Sequence, residues 1–124
     1  MRFASLGSGS EGNALVVEAG NSRILLDCGF SAAETVRRLG RLGLEPEAIN
    51  AVLVTHEHDD HVGGADRFAR RFGIPVYLSH GTREAAAGGD GVFSGAMIID
   101  SHTPFAVGDL EVFPYPVPHD AREP

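Results

Sequence analysis

With 124 residues, 43% of them hydrophobic and 22% charged, the chain has the size and composition of one folded domain, which excludes a repeat array and an intrinsically disordered chain. Its net charge of -7 excludes nucleic-acid binding by bulk electrostatics, because a polyanion would approach only where positive charge is concentrated locally, as at a metal centre. No apolar stretch nears the roughly 20 residues that cross a bilayer, the first residues have no apolar signal core, and the single cysteine, Cys28, suits a reducing compartment. A cytoplasmic protein without membrane association is expected.

The chain opens as a β meander. Strands are expected over 2–6, 14–18 and 23–27, separated by a glycine-rich turn at 7–13 and a tight turn at 19–22. Ser31-Ala32-Ala33-Glu34 has the Ser-x-x-Glu spacing of a capping box, in which serine and glutamate satisfy each other's free amides at a helix start. A helix is therefore predicted to about Leu42, with Val36 and Leu39 inward, Arg37, Arg38 and Arg41 toward water, and Gly43 as its stop. A buried strand over 51–55, a His/Asp-rich loop, a helix over 64–72 and a strand over 75–79 come after it, an order that implies parallel pairing. A short helix over 82–87 and a glycine-rich break at 88–91 come next. From Met97 onward the chain reads as strands again, with a hairpin turn at Val107-Gly108-Asp109-Leu110. In Phe113-Pro114-Tyr115-Pro116-Val117-Pro118-His119 the prolines occupy alternate positions, so one side of the segment has no amides to pair. An edge strand, or the end of pairing, is expected there, with His119 on the same face as Phe113, Tyr115 and Val117.

The stretch that carries chemistry is His56-Glu57-His58-Asp59-Asp60-His61, directly after a buried strand. Val52, Val54, His56 and His58 share one parity, so continued strand alternation brings two imidazoles out on a common face. Asp60 and His61 come after the chain has turned and can face a second point beside the first. Imidazoles with a hard oxygen ligand suit zinc, manganese or iron(II), and the carboxyl end of a buried strand is where α/β folds place ligands.

His56-x-His58-x-Asp60-His61 resembles the signature of the metallo-β-lactamase fold hydrolases. Asp27, before Cys28-Gly29, is similar to the acidic residue of that family's first motif, Gly63-Gly64 to its glycines after the metal motif, and His119 to its third histidine ligand. Ser8-Gly9-Ser10-x-Gly12-Asn13 and Val117-Pro118-His119-Asp120-Ala121-x-Glu123-Pro124 resemble the YycJ-like subgroup of DNA exonucleases. The resemblance implies an α/β fold, an αββα sandwich of which residues 1–124 form the N-terminal part of a single domain, with one mixed sheet and flanking helices. It implies that two divalent ions, zinc or manganese, are held by His56, His58 and His119 and by Asp60 and His61, with Asp27, Gly63 and Gly64 supporting them from behind. A hydroxide between the ions, oriented by Asp60, would be the nucleophile, and DNA the substrate. Hydrolysis of a carboxylic ester, thioester or lactone is the alternative, since the same nucleophile attacks carbonyl carbon.

The family's bridging aspartate and last histidine lie downstream of its third histidine, and this chain ends at Pro124. The second site is therefore expected to be incomplete here, the chain to be a piece of a longer protein, and the sheet's apolar face to lie bare. A truncated, catalytically inert metal-binding fragment is the reading from another class. The literal G-x-G-x-x-G of Gly7 to Gly12 does not predict a dinucleotide cofactor, because a strand and not a helix is expected after it. Glu57 and Asp59 fill variable positions of the motif, and His58 stands where the flavodiiron relatives carry glutamate, so oxygen reduction is disfavoured. Arg67, Arg70 and Arg71 read as a solvated helix face, His80 and His102 as surface or turn residues, and Cys28 as a small buried apolar residue.

Overall fold

A computed structural model describes residues 1–8, 12–55, 64–79, 96–100 and 102–114. The predicted meander is present as β1 (Arg2–Gly7), β2 (Ala14–Ala19) and β3 (Ser22–Leu26), joined antiparallel. Then come α1 (Ala32–Arg41), a 3-10 turn (Pro46–Ala48), β4 (Ala51–Leu53), α2 (Ala65–Phe72), β5 (Val76–Ser79) and β6 (Met97–Ile99). Strands β3 to β6 run parallel, as the strand, helix, strand order requires. The result is one mixed six-stranded sheet in the order β1-β2-β3-β4-β5-β6. In this topology β1, β3, β4, β5 and β6 all point the same way, so their carboxyl ends share one edge of the sheet.

Alternation decides which side chains face the helices. Leu6, Val16, Leu25, Val52, Val54 and Leu78 enter one core with Leu39 of α1 and Phe68 of α2. Leu25, Leu39, Val52, Phe68 and Leu78 are fully buried, each contributing about 1.5–3 kcal/mol relative to exposure. Ser31 caps α1 by accepting from the Glu34 amide at 3.2 Å. The capping box is only half formed as expected, since the Glu34 carboxylate accepts from Arg37 and Arg38, and those guanidiniums, Arg37 foremost, hold its pKa down at about 2. A carboxylate paired with two cations in its own helix gains more there than by reaching back to one neutral amide.

The opposite face of the sheet is not bare, contrary to expectation. The hairpin β7 (Phe105–Val107) and β8 (Leu110–Val112) sets Val107 and Leu110 against Ile24 and Ala51 and stacks Phe105 on Tyr77 with centroids 5.3 Å apart. Its turn is pinned to the β2–β3 turn: the Asp109 amide donates to Ser22 Oγ at 2.8 Å and the Asn21 amide to Asp109 Oδ2 at 3.3 Å. Gly108 has φ +56, and a Cβ there would meet Ser22 Oγ at 2.1 Å, so glycine alone fits. Phe3 and Met97 remain exposed, so the cover is partial. β8 ends at Val112, and Phe113 and Pro114 lie outside any strand, in line with the end of pairing expected at the proline run. The segments expected as the helix 82–87, the break 88–91 and 115–119 lie outside the described residues. No helix among the described residues is long and apolar enough to cross a membrane.

Candidate metal centre

At the shared carboxyl edge, Leu26 of β3 sits beside Leu53 of β4. The next residue, Asp27, continues the bond pattern by donating its amide to Leu53 O at 2.7 Å, and its backbone then turns left-handed, with φ +63. Aspartate tolerates that conformation better than most residues. The turn aims its carboxylate across the strand: Oδ1 accepts the Thr55 amide at 2.7 Å, and the Thr55 hydroxyl lies 2.9 Å from Oδ1 and 2.7 Å from Oδ2. Asp27 is 6% exposed, and a carboxylate this buried is retained only with such donors.

The loop after Asp27 holds two more segments. Gly29 donates its amide to Asn13 O at 3.0 Å, and Cys28 O accepts the Gly64 amide at 2.9 Å. Gly64 packs so closely on this loop that a Cβ would fall 1.7 Å from Phe30 O. Thr55 and Gly64 are the described residues on either side of the His/Asp motif, and both are hydrogen-bonded to loop 27–29. Asp27 and Gly64 thus stand where the sequence put them, as supports. His56, His58, Asp60, His61, Gly63 and His119 lie outside the described residues. Among the described residues no three His, Cys, Asp or Glu side chains gather in a metal-binding group. The donor types of the motif fit a divalent ion of zinc or manganese character, and the engagement of Asp27 by Thr55 agrees with a supporting role for that carboxylate.

Three participants were not legible beforehand. Thr55 read as an ordinary strand residue. Phe30 and Arg38 join the loop to α1, and Arg38 corrects the expectation of a wet side chain. Its guanidinium lies 4.0 Å over the Phe30 ring, donates Nη1 to Leu6 O at 2.5 Å, and is only 25% exposed. The only hint was its spacing, four residues after Glu34, which directs the pair along one helix face.

Cys28 is fully buried, with Sγ 3.4 Å from the Thr35 hydroxyl. Burial is the main cause that pushes its thiol up to about 11. A thiol is the attacking species only when ionised, so alkylation by iodoacetamide at pH 8 should be at least tenfold slower in the folded chain than in urea. Equal rates would contradict the packing. Because the folded pKa lies above the ordinary value, the favourable contribution of the protonated thiol is fully present below pH 9 and is lost as pH rises through about 11.

The remaining candidates fall away from this edge. Arg67, Arg70 and Arg71 are exposed, Arg70 paired with Asp66 and Arg71 over the Phe72 ring. His102 is exposed, and its amide donates to Asp100; His80 lies outside the described residues. The glycine-rich turn leads into β2, a strand, where a dinucleotide fingerprint needs a helix.

Comparison with known proteins agrees with this arrangement. The family model of the metallo-beta-lactamase superfamily matches residues 7–122. An exodeoxyribonuclease of Streptococcus pneumoniae, WalJ, is 31% identical over 127 residues, covering 99% of this chain and 47% of that protein. An exodeoxyribonuclease of Bacillus anthracis, YycJ, is 34% identical over 130 residues, covering 100% of this chain and 48% of that protein. Among solved structures, MEM-A1, a subclass B3 metallo-beta-lactamase from a soil metagenome library, superposes with a TM-score of 0.78 at 20% identity, covering 98% of this chain and 52% of that one. The chain spans about half the length of these relatives. With its mixed sheet, its Asp27-supported edge and a family match over nearly all of its residues, the chain belongs to the metallo-β-lactamase superfamily.

Proposed function

We propose that residues 1–124 are the N-terminal part of a single metallo-β-lactamase-fold domain in a metal-dependent hydrolase that cleaves phosphodiester bonds of DNA. The observation that supports this most is the Asp27–Thr55 clamp, with the His/Asp motif beginning at the residue after Thr55. In this reading His56, His58 and His119 hold one divalent ion and Asp60 and His61 the other, whose remaining ligands come from beyond residue 124. Bound ions of zinc or manganese type supply an acidified water and a Lewis acid for the phosphoryl oxygens, and their charge draws in a polyanion despite the acidic chain. The chain's own residues do the positioning: Asp27 orients the backbone from which the motif departs, and Gly64 lets α2 start against the same loop. The nuclease relatives support DNA as the substrate class.

Assay of the full-length gene product on end-labelled single-stranded DNA beside a thioester and lactone panel tests the reading. Release of nucleotides is the expected result; turnover of the panel with intact DNA would favour the carbonyl alternative, and two silent assays with one ion or none per chain would favour an inert fragment. Asp27→Ala is expected to weaken metal affinity about 10- to 100-fold, the usual cost of losing a residue that orients ligands from behind. Asp27→Asn should cost less, because asparagine accepts the left-handed backbone and its carbonyl still receives the Thr55 amide. Titration against a chelating dye measures both, and unchanged affinity in Asp27→Ala would remove the carboxylate from the support of the site.

A further inference from the structure

The contacts of Arg38 exceed what a helix-surface arginine needs. Pairing of β1 with β2 slips between Ser5 and Gly7, so Leu6 forms a β-bulge, a feature that bends a strand and re-aims the residues beyond it. Arg38 takes the Leu6 carbonyl and is itself held by Glu34 at 2.7 Å. Its flat face covers the Phe30 ring, a cation–π contact. That ring is gripped by both ends of the glycine-rich turn: a Cβ on Gly7 or on Gly12 would each lie 2.6 Å from a Phe30 ring atom. The Gly29–Asn13 hydrogen bond closes the same unit. The turn between β1 and β2 and the segment that begins after Thr55 are therefore two branches of one loop, at one edge of the sheet.

We propose that Arg38 and Phe30 form a pedestal that fixes the glycine-rich turn beside the metal segment, so that the turn receives the DNA strand; Arg38 and Phe30 are positioning residues for substrate binding. This rests on the phosphodiesterase reading for its substrate. A polymer backbone needs a rigid surface without protruding side chains to approach closely, and glycines supply it only when their freedom is removed by such anchors.

In the full-length gene product, Arg38→Gln should raise KM for a single-stranded oligonucleotide about tenfold while leaving kcat and metal content within twofold. A merely structural arginine would lower the melting temperature or the active fraction and leave KM in place, which would overturn the proposal. Arg38→Lys keeps the charge without the flat face, so it should remain defective; recovery of KM by lysine would show a charge effect and also overturn it. Gly12→Ala, which drives a methyl group into the Phe30 ring, approaches the same contact from the turn and should raise KM alike. If the unsubstituted protein cleaves no oligonucleotide, the phosphodiesterase reading alone fails. Hydrogen exchange then judges the pedestal: Arg38→Gln should speed exchange of the amides at 7–8 and 12–13 at least tenfold without affecting β3 to β5, and unchanged exchange would overturn it.

Discussion

His58→Ala in the full-length gene product should lower nuclease turnover about a thousandfold or more while barely moving the thermal melt. Metal-ion catalysis is worth several kcal/mol of transition-state stabilisation, and each 1.36 kcal/mol is a factor of ten in rate. Three imidazoles around one ion leave no spare ligand, so losing one removes the ion or its geometry. The fold should survive because its helix-side core is made by Leu25, Leu39, Val52, Phe68 and Leu78, none of them in the motif. Steady-state rates at saturating metal, beside a circular dichroism melt, separate the two effects. Turnover within tenfold of the unsubstituted protein would mean that His58 holds no essential ion.

Gly64→Ala should destabilise the chain by about 3 kcal/mol, the upper end of what overpacking costs. The reason is steric and not conformational. Gly64 has φ -109 and ψ 0, which an L-residue can adopt, but its Cβ would meet the backbone oxygen of Phe30 at 1.7 Å, and a carbonyl held in a packed loop cannot move aside like a side-chain tip. Relief requires either α2 or loop 27–30 to shift, and both flank the proposed metal segment, so metal affinity should fall with stability. Gly40→Ala provides the contrast. Gly40 lies in α1 with nothing within 4 Å of its would-be Cβ, so alanine there should stabilise by about 0.5–1 kcal/mol. Urea midpoints of the two variants should move in opposite directions, and a Gly64→Ala midpoint equal to the parent's would mean that the loop is not packed as described.

The elements that were legible in advance are those governed by local spacing. Ala14 to Val17 reads as strand because apolar residues facing two cores leave no polar interruption, and the Ser31–Glu34 spacing marked the start of α1 at the residue that caps it. The parallel order of β3, β4 and β5 came from a helix standing between strands. Asp27 and Gly64 were expected as supports of the proposed site, and the structure shows what each one touches. Less visible were partners far apart in the chain: Thr55 for Asp27, Leu6 and Phe30 for Arg38, Ser22 for Asp109. Each joins residues separated by 28 positions or more except the neighbouring Phe30–Arg38 pair, and no periodicity records which carbonyl or hydroxyl will be nearest.

By itself the sequence determined the β/α order, the inward faces of the helices and the set of donor types offered to a cation, because hydrophobic period, capping residues and ligand chemistry are properties of short stretches. Tertiary structure decided the rest. It turned Asp27 onto Thr55, drew Arg38 off the wet face to the bulged strand, and laid the β7–β8 hairpin over the sheet's second face. Those outcomes depend on which buried polar atoms and apolar surfaces meet once the sheet has formed, and that meeting exists only in three dimensions.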